Sequence, residues 1–472
     1  MQPLLIGDIA RAAAQRFPNR AAAVLGDRQV TFREVWDRSG ALAAALLARG
    51  VRPGDRIAWL DDTSLDAPPM YFAAARIGAV FTPLNPRYTE AELAQVLARA
   101  EPAIVVSPSA GGGSVSVEEL YAQHAPAPAA WPRVDENDTQ IIFFTSGTTG
   151  EPKGCMLSHR TQRLRSDVTS RWPLGPNVCM FPQFHMAGWA YALPTWLSGD
   201  TLVLVERADA GHILEAIMRH RAHAFYGIPA VWQRIFEADL GRYDLSSLRR
   251  AETGTSATTQ ELLRGIRALA PDAVTTVTYG STEASCVCVL PQEDLFTKPG
   301  SVGPPSPGCE LRIDDAGELW VRNAQLFSGY FRNEEATAAA LVDGWYRTGE
   351  LAEFDEDGYC YIVGRAKDIM RTGGETVAPV EVDLVLQRHP AVADAAVAGI
   401  PDPQWGEVIG AFVVPRPGHS PGIDELRAFC AGQLASHKHP RRLFLVDAIP
   451  RTASTGQVQR RKLVEIARER LR

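Results

Sequence analysis

The densest chemistry lies in residues 144–154, FTSGTTGEPKG. Thr145, Ser146, Thr148 and Thr149 place four hydroxyls among Gly147, Gly150 and Gly154, with Lys153 beside them. Glycines let the backbone approach a ligand closely and take positive φ. Hydroxyls and exposed N–H groups can then surround phosphate oxygens. Lysine is scarce: the chain has five (Lys153, Lys298, Lys367, Lys438, Lys462) against 43 arginines. Abundance therefore did not place one here, and arginine's planar fork does not replace a compact ammonium at a crowded phosphate site. No Gly-Lys dipeptide occurs, so this is not the common P-loop NTPase motif. An ordinary polar loop is the bland alternative. The hydroxyls, glycines and rare lysine packed into eleven positions weigh against it.

A strand, QIIFFT at 140–145, must deliver this loop. Similar short apolar runs occur at 56–60, 103–106, 201–206, 223–227 and 274–280, with helical patterns between them, among them 33–49 and 89–100. Strands alternating with helices imply a mostly parallel sheet covered on both faces. Residues 107–132, rich in Ala, Gly, Ser and Pro, read mainly as loop. After Gly300 the pattern changes to hairpins, CELRIDDAGELWVR and FDEDGYCYIVGR, each folding about an acidic turn. Mixed β and α patterns follow, including a helix over 423–434. A boundary at Ala366–Lys367 divides the chain into 1–366 and 367–472, the second a normal domain size.

Composition excludes several classes. In 472 residues, 46% hydrophobic and 22% charged, the chain is globular, not disordered. With 48 basic against 55 acidic residues, net −7, it is not expected to bind nucleic acid by phosphate neutralisation. The N-terminus reads as an amphipathic helix rather than a signal peptide. The long uncharged stretch 172–199 holds four prolines, so no membrane span is expected. Seven scattered cysteines without a CxxC pair read as reduced thiols in a cytoplasmic protein.

TSGTTGEPKG resembles the signature loop of the ANL adenylating superfamily, which includes acyl-CoA synthetases. Other segments follow in that family's order: FPQFHMAG (181–188), TYGSTEA (278–284), GWYRTGELAEFDEDGYCYIVGRAKD (344–368) and RTGGETVAPVEVD (371–383). The resemblance spans nearly the whole chain. It implies an α/β fold, a large N-terminal domain of mostly parallel sheets with flanking helices plus a small mobile α+β C-terminal domain. It implies that ATP and Mg²⁺ activate a carboxylic acid to acyl-AMP, which passes to CoA or a carrier-protein thiol. Glu283 would hold Mg²⁺ against the phosphates and Thr282 would donate to the α-phosphate. Tyr279, followed by Gly280, would pack on adenine, Arg365 would reach ribose or phosphate, and His185 would line the acyl site. Lys367 would be the hinge between half-reactions, with Gly373 and Gly374 lining the thiol channel afterwards.

Two positions depart from the family pattern. Glu350 stands where the family has the aspartate that grips the ribose. Gln457 stands where the family has a lysine bridging the carboxylate and α-phosphate, after a loop one residue longer. A neutral amide cannot neutralise charge developing between two anions, a loss that typically costs ~10²–10³ in rate. A substitution that traps one state, an altered chemistry and slow adenylation all fit. Two other functions therefore stand beside the acid–thiol ligase: a diazotase-like relative joining nitrite to an aryl amine, and a nucleotide-binding relative impaired in adenylation.

The acyl pocket is expected from 185–190, 226–230, 254–256 and 279–280, with His185, Trp189, Tyr226, Gly254, Thr255 and Gly280 as lining. No charged residue other than His185 falls in these segments, which disfavours a charged amino-acid substrate. Trp189 would either plug the pocket and offer a flat face to an aromatic ring, or pack in the core. A compact aromatic or short-to-medium apolar acid is the expected substrate.

Overall fold

The computed structural model describes residues 3–108, 113–145, 152–169, 175–372, 375–452 and 456–471. Ser146, Gly147, Thr148, Thr149, Gly150, Gly373 and Gly374 lie outside the described residues, as does the side chain of Thr145.

Two mostly parallel sheets form the first part of the chain. One has eight strands in the spatial order 285–290, 277–281, 250–254, 224–226, 177–179, 202–204, 21–25 and 28–31. Its inner strands are parallel and only the two edge pairs are antiparallel. The other has six strands, ordered 329–330, 153–158, 139–145, 80–84, 56–60 and 104–106. Strands of this kind are buried on both faces, as Val80–Leu84 is along its whole length, with Thr82 its one polar residue. A third, wholly antiparallel sheet holds the two hairpins expected after Gly300.

Local sequence explains the helix starts. Thr31 and Glu34 form a reciprocal capping box ahead of Phe32–Ala48, and Thr89 and Glu92 another ahead of Glu90–Ala100. The described residues of 107–132 are mainly loop, as expected, with one exception. Ser116 accepts from the Glu119 N–H and starts a short helix, Val117–Ala122, which buries Val117 and Leu120. The helix expected over 423–434 ends at Cys430, because Ala431 is extended and Gly432 turns left-handed at φ +83°.

The main core runs from Ile6 to Cys360. The C-terminal sheet has separate cores on its two faces, beginning at Met370. Its strand Val392–Asp402 alternates between them: Ala395 and Val397 join one, Ala396, Ala398 and Ile400 the other. Among the described residues no helix is long and apolar enough to cross a membrane.

Candidate active site

Strand Thr139–Thr145 pairs antiparallel with Lys153–Ser158, with Thr145 opposite Lys153. The described strands on either side of the hydroxyl-rich segment are therefore paired, and the first ends at Thr145, the carboxyl end of a strand that runs parallel to its neighbour Val80–Leu84. Ligands of open α/β sheets bind at such strand ends. The Lys153 ammonium lies 5.1 Å from the centre of the Tyr330 ring. The Tyr330 hydroxyl in turn donates to Glu283 Oε1 at 3.0 Å. One ring thus links the lysine of the loop to the carboxylate of the YGSTE segment.

Glu283 sits at the tip of the hairpin joining Val277–Ser281 to Ser285–Leu290. That tip is held through its carbonyl oxygens. Arg165, buried on helix His159–Thr169, donates to Thr282 O at 3.0 Å and to Glu283 O at 3.1 Å. The same guanidinium donates twice to Gln325 O, at 2.7 and 3.1 Å. Phe327 N–H adds a bond to Glu283 O, and the Asn323 amide one to Ala284 O. Burial pushes the Arg165 guanidinium down to about 10, so it remains cationic at neutral pH. Neither Arg165 nor Tyr330 is marked by the sequence: one is an arginine among 43, the other an aromatic in a two-residue strand.

A second chain of contacts crosses to the C-terminal sheet. Strand register sets Glu350 opposite Arg365. Tyr279 OH donates to one Glu350 oxygen, and Arg365 Nε approaches the other at 3.4 Å. Burial and the adjacent Glu350 carboxylate raise the Tyr279 phenol well above its ordinary range. Arg365 Nη2 donates to Gln457 Oε1 at 3.0 Å. The loop carrying Gln457 is fixed by Thr452, whose Oγ1 accepts from Gln457 N–H. Residue 456 of that loop lies beside Ile228, in a segment expected from the sequence to line the acyl pocket.

On that side Tyr226, Gly254 and Thr278 meet. A Cβ on Gly254 would lie 2.1 Å from Thr278 O and 2.5 Å from Tyr226 OH, so only glycine fits. Gly280 is equally constrained, with Ser285 O at 2.0 Å. Thr255 follows in a left-handed conformation at φ +66°, costly for a β-branched residue. His185 caps helix Met186–Leu197, its Nδ1 accepting from Ala187 N–H at 3.1 Å. Desolvation lowers the imidazole to about 4, so it is neutral, with its proton on Nε2 as a donor. Phe181, Tyr191 and Tyr226 form the aromatic wall, the first two nearly parallel at 5.9 Å.

Trp189 is corrected as a pocket plug. Its indole is 1% exposed, stacks on Tyr71 at 4.1 Å and donates to Gln183 O. No face is left for a substrate ring. A charged pair lies just outside the segments expected to line the acyl pocket. Glu252, paired in register with Tyr226, forms a 2.7 Å ion pair with Arg250, two positions outside the expected segment.

If the 144–154 segment binds phosphate as its sequence predicts, Lys153→Ala is expected to raise the apparent ATP KM and lower turnover, because it deletes the segment's only cation. Unchanged nucleotide binding and turnover would show that the loop serves another purpose.

Residues 10–331 match the family described as AMP-binding enzyme, and residues 381–455 its C-terminal domain. The chain is 35% identical to a feruloyl-CoA synthase of Amycolatopsis sp., covering 95% of this chain and 97% of that protein. It is 31% identical to a 2-succinylbenzoate–CoA ligase of Listeria innocua, covering 95% and 97%. The o-succinylbenzoate CoA synthetase MenE from Bacillus subtilis, solved with its acyl-adenylate intermediate, superposes with a TM-score of 0.90. It is 27% identical, with 98% of each chain covered. The same enzyme has been solved with ATP and a magnesium ion.

Proposed function

The chain belongs to the AMP-binding enzyme family, and on that premise we propose that it activates a compact aromatic or short-to-medium apolar carboxylic acid. It is an AMP-forming acid–thiol ligase. The acid's carboxylate attacks the α-phosphate of ATP and expels pyrophosphate, leaving acyl-AMP. The CoA thiol then attacks the acyl carbon and expels AMP, leaving the thioester.

One observation supports the residue assignment most: Tyr330 links Lys153 to Glu283, and Arg365 links Glu350 to Gln457 of the C-terminal part. In this reading the 145–150 loop and Lys153 cradle the phosphates. Thr282 donates to the α-phosphate, Tyr279 packs on adenine and Glu350 holds the ribose. Among the described residues no group of three His, Cys, Asp or Glu could hold a metal ion. A single carboxylate completed by substrate phosphates is a usual Mg²⁺ arrangement, and the Glu283 carboxylate fits it. Bound there, Mg²⁺ would neutralise phosphate charge. His185, neutral and with Nε2–H available, would donate to the acyl group. CoA is the assigned acceptor, with a carrier-protein thiol as the alternative. The seven cysteines, none in a disulfide, support a reducing, cytoplasmic setting.

Lys367, exposed in the turn between Arg365 and Met370, is the assigned hinge about which residues 367–472 turn between half-reactions. Lys367→Pro fixes φ near −65° and restricts Ala366. It is expected to damage one half-reaction far more than the other. Equal small effects on pyrophosphate exchange and on thioester formation from supplied acyl-AMP would remove the hinge. The reading as a whole is tested with a panel of aromatic and C2–C16 acids, following AMP release and CoA thioester. A preference for C16 acids would overturn it.

Gln457 specifically favours a second reading, in which nucleotide binds but adenylation is slow. Pyrophosphate–ATP exchange in Gln457→Lys separates the two.

A further inference from the structure

We propose that Arg250, Glu252 and the hydroxyls of Tyr191 and Tyr226 form a subsite that reads a hydroxyl group, so that the preferred acid is aromatic and carries a hydroxyl on the side of the ring remote from its carboxylate. This rests on the acyl-pocket assignment under the proposed function.

Exposure alternates along the two neighbouring strands. Arg250, Glu252, Thr276 and Thr278 are partly accessible, whereas Ala251, Thr253, Thr275 and Val277 are buried. The accessible side chains therefore share one sheet face, which carries Tyr226 opposite Glu252 and continues to Gly254 at the strand end. Tyr191 comes from helix Met186–Leu197, its ring 5.3 Å from that of Tyr226. Glu252 lies two residues down the strand from Gly254, about 7 Å at the usual rise. That falls between the span from carboxyl carbon to para oxygen in a benzoic acid, which is shorter, and in a cinnamic acid, which is longer.

The bonding capacity left at this point is mixed. Arg250 Nη2 donates to one Glu252 oxygen at 2.7 Å and Thr276 Oγ1 to the other at 3.3 Å. Arg250 Nη1 is buried with no hydrogen-bond partner. Tyr226 OH accepts from Thr278 Oγ1, so its own proton is available to donate. Burial raises both tyrosines far above their ordinary range, so they stay protonated. The set offers donors from Arg250 and the phenols, and a carboxylate acceptor with unused lone pairs. A substrate hydroxyl uses both at once. An ammonium would meet Arg250 and a second carboxylate would meet Glu252, each a like-charge contact. With both side chains only 13% exposed, this ion pair is also weak evidence of a stabilising role, since desolvation offsets much of its attraction.

The test uses pairs of non-hydrolysable acyl-sulfamoyl adenosines, 4-hydroxybenzoyl against benzoyl and 4-hydroxycinnamoyl against cinnamoyl, so that it does not depend on turnover. Dissociation constants are measured by isothermal titration. In the wild-type protein the hydroxylated member of at least one pair should bind ~10–100-fold tighter, as expected for hydrogen bonds to charged groups. Removing one charge alone would strand the other, so the main variant is the double Arg250→Met, Glu252→Leu. Tyr226→Phe removes one hydroxyl and leaves the ion pair. The difference within the pair should vanish in the double variant and shrink in Tyr226→Phe, with AMP affinity reporting that the site still folds. Equal affinities within both wild-type pairs would overturn the subsite and leave the aromatic pocket standing. So would a preference that survives both variants. Failure of all four aryl probes, with AMP still bound, would overturn the pocket assignment as well.

Discussion

Gln457→Lys is expected to raise acid-dependent pyrophosphate–ATP exchange by at least an order of magnitude. The amide now accepts from Arg365 and lies on the path between the Glu350–Arg365 pair and the Ile228 side of the site. It carries no charge to offset the negative charge that builds between carboxylate and α-phosphate, where a placed cation contributes ~10²–10³ in rate. A lysine ammonium could not keep the present contact, because it would face the Arg365 guanidinium. It would turn toward the anionic reactants instead. Conversion of supplied acyl-AMP to thioester should survive in both forms, since in the assigned mechanism this position serves only the first half-reaction. Exchange rates that match in the Gln and Lys forms would show that the enzyme does not use this position.

The second large effect is assigned to Arg165. Arg165→Leu strips the Thr282 and Gln325 carbonyls of a buried donor and leaves Glu283 O only the Phe327 N–H. Each lost buried bond costs ~1–3 kcal/mol, so thermal stability should fall measurably. Function should fall further, by ~10²-fold or more in adenylation, because the Glu283 carboxylate and Thr282 hydroxyl lose their fixed positions. The concentration of Mg²⁺ needed for half-maximal exchange should rise. Arg165→Lys keeps the charge but not the planar fork and should recover only part of the loss. Full exchange in Arg165→Leu at the wild-type Mg²⁺ requirement would show that the clamp supports the fold alone.

Both predictions turn on residues that differ greatly in how visible they are in the sequence. Lys153 stands out because it is one of five lysines and sits among glycines and hydroxyls, a composition with a direct chemical reading. The alternation of strands and helices is legible for the same local reason, since periodicity follows from neighbouring residues. Arg165, Tyr330 and the Arg250–Glu252 pair are not legible, because their roles arise from strand register and from approach across 117 residues or more in the case of Arg165. Trp189 shows how proximity in sequence misleads. It follows His185 and Gly188, but on helix Met186–Leu197 it shares the inward face with Leu193 and Trp196, at i+4 and i+7. Tyr191, two positions on, faces Tyr226. Trp189→Ala would therefore empty a core site rather than lengthen the pocket.

The two cores of the C-terminal sheet share no residue with the main one. Reorienting that sheet against the rest of the chain would then leave every apolar cluster intact and break polar contacts such as Arg365–Gln457. Heat capacity follows exposed apolar area, so such a movement carries almost none. Its equilibrium would therefore be nearly flat with temperature.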